Sequence, residues 1–319
     1  MQRLDDLFFP VTPPRQHGHL ERDNGHRIYY EVSGAEDGIP VLLCHGGPGG
    51  SNGPGFRRYL DAERFCIVQF DQRGCGQSER QGRLQDNSLQ HTITDMEALR
   101  EHLSLDAWIV SGGSWGATVA LAYGEAYPER CLGLQLVSLW LCRQRDMEWW
   151  FHGVRAIFPE LWQAFAEAVP AAERDDLRTA YCERILGDDQ TIADRFATQL
   201  FLYEEGFMHF DAPLVPSDPA RGKHYGRIFA HYARHDFFLE EGQLLRDAQR
   251  LVNVPVSIIT GRYDCCTVPE NAFALAQVLP HANLEIVAGA GHYPSELPMA
   301  RAIVQASNAL SNSIADFDA

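Results

Sequence analysis

A serine between glycines lies at the junction of an apolar run and a helix-forming segment, and this junction constrains the fold more than any other part of the sequence. The segment Gly112 to Gly116 has the form G-x-S-x-G; it follows the apolar run 108–110 and precedes helix-forming residues at 117–123. Small residues around Ser114 permit a tight strand-to-helix turn that exposes the hydroxyl at a helix N-terminus. The segment therefore predicts a nucleophilic serine. The alternative is a glycine-rich turn with a solvated serine.

Short apolar runs alternate with helical patterns along most of the chain. Residues 92–103, for example, place their apolar side chains close to one face of a helix. Such alternation is typical of βαβ crossovers around a largely parallel sheet flanked by helices. The predicted strands are 27–32, 41–44, 66–70, 108–110, 134–137, 256–260 and 284–287, and two further predicted helices are 269–278 and about 299–310.

The alternation stops near Leu141 and resumes near residue 249. Between these points, aromatic and charged residues mix at helical spacing and no strand pattern occurs. We therefore predict a core in two parts, 1–140 and 249–319, with an inserted helical cap domain at 141–248. Within the cap, the segment 212–221 is rich in Pro and Asp and predicts a loop.

A catalytic serine needs a general base, and the base needs an orienting carboxylate. Asp264 follows one of the two predicted C-terminal strands, and His292 lies in a small-residue loop after the other. Both residues are therefore expected at the same sheet edge as Ser114, in the chain order Ser, Asp, His that is typical of the α/β-hydrolase fold. We predict this fold and this triad. Asp71, which precedes the serine, is the alternative acid, and we expect it to shape a loop beside the site.

The glycine-rich segment His45-Gly-Gly-Pro-Gly-Gly follows the predicted strand 41–44. Its glycines allow backbone N–H groups to face a tetrahedral oxyanion, so we predict an oxyanion hole formed by the amides of Gly47 and Trp115. Removing one such donor typically lowers turnover about 10²–10³-fold. A phosphate-binding loop is the alternative, but the segment lacks the lysine of a P-loop and matches neither common phosphate motif.

Composition narrows the classes of function. The formal net charge is −16 and no cluster of Lys and Arg is present, which argues against nucleic-acid binding. The eight cysteines show no metal-ligand spacing and are expected to be reduced thiols of a cytoplasmic protein. Neither a signal peptide nor an apolar run of about 18 residues is present, so we expect no membrane partner. The oligomeric state stays open.

Five motifs together resemble the proline iminopeptidase family of α/β hydrolases, also called prolyl aminopeptidases. They are HGGPGG at 45–50, DQRGCGQS at 71–78, GGSWG at 112–116, GRYD at 261–264 and GAGH at 289–292. The resemblance extends from about residue 25 to the last helix. It implies cleavage of an N-terminal residue, typically proline, whose free amino group is held by carboxylates of the cap.

Three cap features bear on the substrate that the resemblance implies. Tyr203-Glu204 resembles the aromatic-Glu pair of the family, so Glu204 is the candidate amine anchor, with a solvated carboxylate as the alternative. Phe229 stands where the family carries its second glutamate, so prolyl specificity is in question and a glutamate at 229 is expected to raise prolyl-arylamide hydrolysis. Trp149 and Trp150 replace tyrosines of the family and suggest a larger or more apolar pocket, although an aromatic pair also packs readily in a helical core.

The expected reaction needs neither a metal nor an organic cofactor. His292 removes the proton of Ser114, an acyl-enzyme forms on that serine, and water then releases the acyl group. The favoured substrate is a short peptide or another small amide that carries a free amine. An esterase or specialised biosynthetic hydrolase is the first alternative, favoured by Phe229 and the tryptophans. A non-catalytic small-molecule receptor is the second, and the intact triad argues against it.

Overall fold

The apolar runs of the sequence form one mixed sheet. A computed structural model describes residues 4–79, 81–208 and 219–317. In these ranges the sheet has eight strands in the order β1-β2-β4-β3-β5-β6-β7-β8. The strands are β1 Gln16–Glu21, β2 Arg27–Gly34, β3 Ile39–Cys44, β4 Phe65–Phe70, β5 Trp108–Gly113, β6 Cys131–Val137, β7 Val256–Gly261 and β8 Asn283–Val287.

The sheet is parallel from β4 to β8, as the alternation predicts. Only β2 is antiparallel to its neighbours, β1 and β4. Strand β1 is not among the predicted strands, because its sequence QHGHLE has no run of apolar residues and is only partly buried. It lies at the edge of the sheet, where a polar strand is tolerated.

Helices cover the sheet and fill the interval between β6 and β7. They are α1 Leu89–His102, α2 Trp115–Ala126, α3 Gln144–Phe151, α4 Pro159–Glu167, α5 Leu177–Ile185, α6 Gln190–Met208, α7 Pro219–Arg234, α8 Gln243–Asp247, α9 Glu270–Val278 and α10 Leu297–Phe317. Of the loop predicted at 212–221, residues 212–218 lie outside the described residues. From Pro219 onward the backbone is helical, so that end of the loop prediction is wrong.

The two faces of the sheet bury different helices because strand side chains alternate between the faces. On one face Val110, Leu134 and Leu136 join the large apolar cluster that also contains most of α2. On the other face Val137 and Ile259 join a cluster with α10. This is the layered arrangement of an α/β-hydrolase fold, and it leaves the carboxyl ends of β3, β5, β6, β7 and β8 at one edge.

Helices α5, α6 and α7 pack against one another beyond this edge. Aromatic rings join α4 to this group: Phe165 of α4 stacks on Tyr203 of α6 at 3.9 Å and on Tyr181 of α5 at 4.0 Å between ring centroids. Helix α8, by contrast, packs against α2 and therefore against the sheet layer. The domain boundaries at 141 and 248 stay a prediction. No helix in the described ranges is long and apolar enough to cross a bilayer.

Candidate active site

The turn between β5 and α2 holds Ser114 in a strained conformation. Its φ and ψ are 57° and −127°, a positive φ that residues with a side chain rarely adopt. The flanking glycines are required by close contacts: a Cβ at Gly112 would collide with the carbonyl oxygen of Gly116, and one at Gly116 would collide with that of Cys44. The G-x-S-x-G spacing thus allows the turn to sit against β3, with the half-buried Ser114 at the start of α2.

Asp264 and His292 meet at the carboxyl ends of β7 and β8. The Nδ1 atom of His292 lies 3.0 and 2.9 Å from the two carboxylate oxygens of Asp264. The backbone N–H groups of Cys266 and Thr267 donate to Asp264 Oδ1, each at 2.9 Å. These contacts orient the carboxylate, and the carboxylate orients the imidazole so that its Nε2 atom is left for another partner.

The surroundings of His292 change its basicity. Burial lowers the pKa of the imidazole, but the attraction and hydrogen bond of Asp264, together with the negative charges of Glu204 and Glu296, outweigh burial and raise it above the usual value. A raised pKa makes His292 a stronger base than a free imidazole. The side chain therefore has the properties required to remove a proton from a hydroxyl group.

The glycine-rich loop after β3 passes directly beside Ser114. A Cβ at Gly46 would lie 3.4 Å from the Cβ of Ser114, which is van der Waals contact. Gly47 has a φ of 131°, and a Cβ there would clash with the backbone nitrogens of Gly49 and Gly50. The structure thus brings the segment that contains Gly47 next to Ser114, the residue before Trp115; the oxyanion hole formed by the amides of Gly47 and Trp115 stays a prediction.

Gln72 connects the two halves of this predicted oxyanion hole, and sequence reasoning missed its role. Its Oε1 atom accepts from the indole Nε1 of Trp115 at 2.9 Å, and its Nε2 atom donates to the carbonyl oxygen of His45 at 2.9 Å. Its backbone N–H also donates to His45 Nε2 at 3.0 Å. Gln72 lies inside the DQRGCGQS motif, but nothing in the motif indicates which residues it contacts.

Asp71 lies outside the pair formed by Asp264 and His292. Its two carboxylate oxygens accept from the backbone N–H groups of Asn52 and Gln77, each at 2.8 Å. Asn52 in turn lines the cavity in front of Ser114. Asp71 is therefore placed to hold the loop that follows the glycine-rich segment, which is the structural role expected from its position.

A cavity of about 240 Å³ opens in front of Ser114 and His292. Its wall is mostly apolar and includes residues from the loop after β3, from β5 and β6, from α6 and α7, and from the segment after β8. On the side of α6 and α7 the lining residues are Phe201, Glu204, Glu205, Met208 and Tyr225, and next to His292 they are Tyr293 and Pro294.

Glu204 is a nearly fully buried carboxylate in this wall, with 3% of its surface exposed. Tyr225 donates a hydrogen bond from its hydroxyl to Glu204, and Cys266 Sγ lies 3.9 Å from Glu204 Oε1. Burial raises the pKa of Glu204 to about 7, although Tyr225, His292 and Trp150 act in the opposite direction. The carboxylate is thus poised to change its charge near neutral pH.

Glu205 is a second carboxylate in the same wall, and the sequence analysis did not identify it. The hydroxyl of Tyr293 donates to its two oxygens at 3.3 Å. A signal for it exists in the sequence: residues 201, 204, 205 and 208 lie on one face of a helix, and all four line the cavity. Glu205 also raises the pKa of Glu204, so the two negative charges influence each other.

The structure does not bring Trp149, Trp150 and Phe229 to the cavity; none of them is among the described residues that line it. Trp150 and Phe229 are fully buried and stack on each other at 4.9 Å between ring centroids. Trp149 donates its indole N–H to the carbonyl oxygen of Cys265 at 2.8 Å, next to Asp264. Large aromatic rings at helical spacing bury more apolar surface in a core than on a cavity wall, and that burial accounts for their position.

The comparisons with known proteins agree with this geometry. The α/β-hydrolase fold family matches residues 39–297. A probable proline iminopeptidase of Leptolyngbya boryana is 37% identical over 307 residues, covering 94% of this chain and 96% of the relative. The proline iminopeptidase of Arabidopsis thaliana is 35% identical, covering 94% of this chain and 81% of that protein.

This chain belongs to the proline iminopeptidase family of α/β hydrolases. The fold is also found in the crystal structure of a proline iminopeptidase-related protein from Thermus thermophilus, with a TM-score of 0.59, 21% identity and coverage of 94% of this chain and 98% of that one. Membership of the family makes the chain a serine hydrolase, as the sequence predicts. Its family resemblance and its fold are confirmed.

Proposed function

We propose that this proline iminopeptidase homologue removes an N-terminal residue, proline included, from short peptides and small amides through an acyl-enzyme on Ser114. The observation that carries the proposal is the buried carboxylate of Glu204 in the same cavity as Ser114 and His292. A protonated amine at Glu204 would bring the carbonyl group of the same residue toward the nucleophile. Proline iminopeptidase, or probable proline iminopeptidase, is also the name of the two relatives described above.

The proposed mechanism uses the side chains at the ends of β7 and β8. His292 takes the proton of Ser114 at Nε2. Asp264, which accepts from the Nδ1–H group, stabilises the imidazolium that results. The amides of Gly47 and Trp115 stabilise the oxyanion of the tetrahedral intermediate. His292 then protonates the leaving amine, and water activated by the same imidazole releases the acyl residue.

The need of Glu204 for a positive charge supports amine recognition. A buried carboxylate is costly unless a cation or several donors compensate it. Its partners are the neutral Tyr225 and Cys266, and no ion pair between described residues includes Glu204. Glu205 adds negative charge in the same wall. A substrate ammonium group would supply the countercharge, so an amine is favoured over a carboxylate or a neutral group at this position.

We further propose that residues 141–248 act as the cap domain that carries this amine site over the core. Glu204 and Glu205 belong to this segment, whereas Ser114, Asp264 and His292 belong to the core. Sequence changes in the segment would then alter the substrate without altering the chemistry.

The eight cysteines are buried and unpaired, which supports a reducing compartment, and we propose the cytoplasm.

The amine site is tested with a proline arylamide, its N-acetylated form and two variants. We expect Glu204→Gln to lower kcat/KM for the free-amine substrate roughly 10–100-fold, because a charge-assisted hydrogen bond is lost. The N-acetylated substrate is expected to react slowly with wild type and variant alike. Release of the arylamine, followed by absorbance, measures the rates of wild type and both variants on the two substrates.

The matched control is Glu167→Gln. This variant removes an exposed acid at the end of α4, which belongs to the same predicted cap segment as Glu204. Glu167 accepts a hydrogen bond from Gln163 at 2.8 Å and lies outside the cavity wall. Its rates should equal those of wild type. Equal rates of wild type on the free and the acetylated substrate would refute amine recognition and favour an esterase or a general amidase.

The pH dependence of kcat/KM follows from two groups that must lose protons. Glu204 has a pKa of about 7 and binds an ammonium only when ionised, so binding weakens as the pH falls through about 7. His292 has a raised pKa and acts as a base only when neutral, so catalysis also weakens as the pH falls. The acid limb should therefore approach a slope of two in a plot of log kcat/KM against pH.

Glu204→Gln removes one of these two titrating groups. Its acid limb should have a slope of one and report His292 alone, and Glu167→Gln should keep the slope of wild type. Steady-state rates from pH 5 to pH 9 measure both slopes. A slope of one in wild type would contradict a role for an ionised Glu204.

A further inference from the structure

The cavity has a second end on the far side of Ser114. One end lies beside α6 and α7 and contains Glu204 and Glu205. The other end enters the layer between the sheet and α10, and we call it the inner arm. The residues that line the inner arm are Leu43, Tyr59, Leu60, Ser111, Gln135, Val137 and Ile303.

The depth of the inner arm follows from the strand register. Leu43 pairs with Ser111 across β3 and β5, and Ser111 pairs with Gln135 across β5 and β6. These three residues form a row on one face of the sheet. Ser111 precedes the end of β5 at Gly113 by two residues, so at a rise of about 3.3 Å per residue the row lies roughly 7 Å below the turn of Ser114. The cavity therefore continues well past the reacting serine.

Most of the wall of the inner arm consists of buried apolar side chains. Tyr59, Val137 and Ile303 belong to one apolar cluster with α10, and Leu43 and Leu60 belong to the neighbouring cluster. Each of these five side chains is buried. A group that entered from the active site would exchange water for mainly aliphatic and aromatic contacts.

The polar residues at the bottom of the inner arm are already paired. Ser111 Oγ donates to Gln135 Oε1 at 2.9 Å, and Gln135 Nε2 donates to the carbonyl oxygen of Ile303 and to Ser307 Oγ, each at 3.0 Å. Because the Ser111 hydroxyl and both N–H groups of Gln135 have acceptors, these two residues offer a ligand no unmet donor. No charged side chain lines the inner arm among the described residues. Its ligand should be apolar.

We propose that the inner arm binds an apolar group on the leaving side of the scissile bond. The inference rests on the proposed function: the amine and the attacked carbonyl belong to one residue, which occupies the cavity between Glu204 and Ser114. The substrate beyond the scissile bond then extends away from Glu204 and into the inner arm. The substrate class is thus an aminoacyl amide or short peptide with an ammonium at one end and an aliphatic leaving group at the other.

The test uses a series of prolyl n-alkylamides from methyl to hexyl. The leaving amines differ little in basicity, so differences in kcat/KM report binding of the alkyl chain. We expect kcat/KM of wild type to rise about fourfold per methylene until the inner arm is filled. Proline release, followed by mass spectrometry, measures each rate. A series without a trend would overturn the proposal.

Variants of α10 connect the trend to the inner arm. Ile303→Phe fills the arm and should lower the ratio of hexylamide to methylamide kcat/KM at least tenfold, whereas Ile303→Ala should extend the trend to longer chains. Val304→Phe changes the next residue, which does not line the cavity, and should keep the ratio of wild type. Thermal unfolding of each variant reports whether it is folded. An unchanged ratio in both Ile303 variants would overturn the proposal.

Three outcomes separate this inference from the proposed function. If N-acetylation abolishes hydrolysis but chain length has no effect, amine recognition stands and the inner arm does not bind the leaving group. If the Ile303 variants change selectivity for the N-terminal residue and not for the alkyl chain, the inner arm binds the acyl side chain and the proposal is wrong. Loss of the amine requirement together with a retained chain-length trend would refute the proposed function alone.

Discussion

Asp264→Asn is expected to lower kcat about 10⁴-fold while leaving the fold intact. In wild type the N–H groups of Cys266 and Thr267 donate to one carboxylate oxygen, and the other oxygen lies 2.9 Å from His292 Nδ1. An asparagine would keep its oxygen toward the two backbone donors and present its NH₂ group to the imidazole. The imidazole would then accept at Nδ1 and carry its proton on Nε2, where it could not take the proton of Ser114.

Asp71→Asn is the matched control, because Asp71 is the alternative acid in the sequence and is equally buried. Among the described residues, its oxygens accept only from backbone N–H groups, those of Asn52 and Gln77. We expect a much smaller loss of kcat from this variant. Arylamide hydrolysis and a thermal unfolding curve for both variants provide the comparison. A large loss from Asp71→Asn with near-normal turnover of Asp264→Asn would exclude Asp264 as the acid.

The meeting of Asp264 and His292 could be expected from the sequence because it depends on topology. Both residues follow apolar runs that became parallel neighbours, β7 and β8, and parallel strands end at one edge of a sheet. The turn at Ser114 could be expected for a local reason, since its glycines are required by contacts within the turn and with β3. Short sequence patterns are therefore sufficient to predict the turn at Ser114 and the pairing of Asp264 with His292.

The cap contacts could not be expected in the same way because they depend on how helices pack. Phe229 and Trp150 align with positions that the family resemblance assigns to substrate binding, yet their rings fill the space between α3 and α7. Glu205 lines the cavity because α6 turns the face of residues 201, 204, 205 and 208 toward it. The sequence shows this face, but it does not show which neighbour the face meets.

The inner arm is even less accessible to sequence reasoning. Tyr59, Gln135 and Ile303 come from three distant parts of the chain, and each has an ordinary interpretation as a core residue. Their common role emerges only from the gap that remains between the sheet and α10. Such gaps depend on the exact volumes of packed side chains, which no periodic pattern encodes.

Phe229→Glu is expected to destabilise the protein and, contrary to the expectation from the sequence alone, to give no gain in prolyl-arylamide hydrolysis. Phe229 is fully buried, with its ring stacked on Trp150 at 4.9 Å and on Trp140 and Tyr225 at 6.2 Å between centroids. Loss of a buried phenylalanine typically costs about 3–5 kcal/mol of unfolding free energy, and an unpaired buried carboxylate adds to that cost. Because residue 229 does not line the cavity, we expect the new carboxylate to make no contact with the substrate amine.

Phe229→Leu is the control that keeps the site apolar, and its loss of unfolding free energy should be clearly smaller because no charge is buried. Denaturant unfolding of both variants measures the difference, and kcat/KM on a proline arylamide measures the effect on recognition. A stable Phe229→Glu protein with raised kcat/KM would mean that the side chain of residue 229 reaches the cavity. In that case the second carboxylate of the family could be restored at this position, and Glu205 would not be needed to add negative charge beside Glu204.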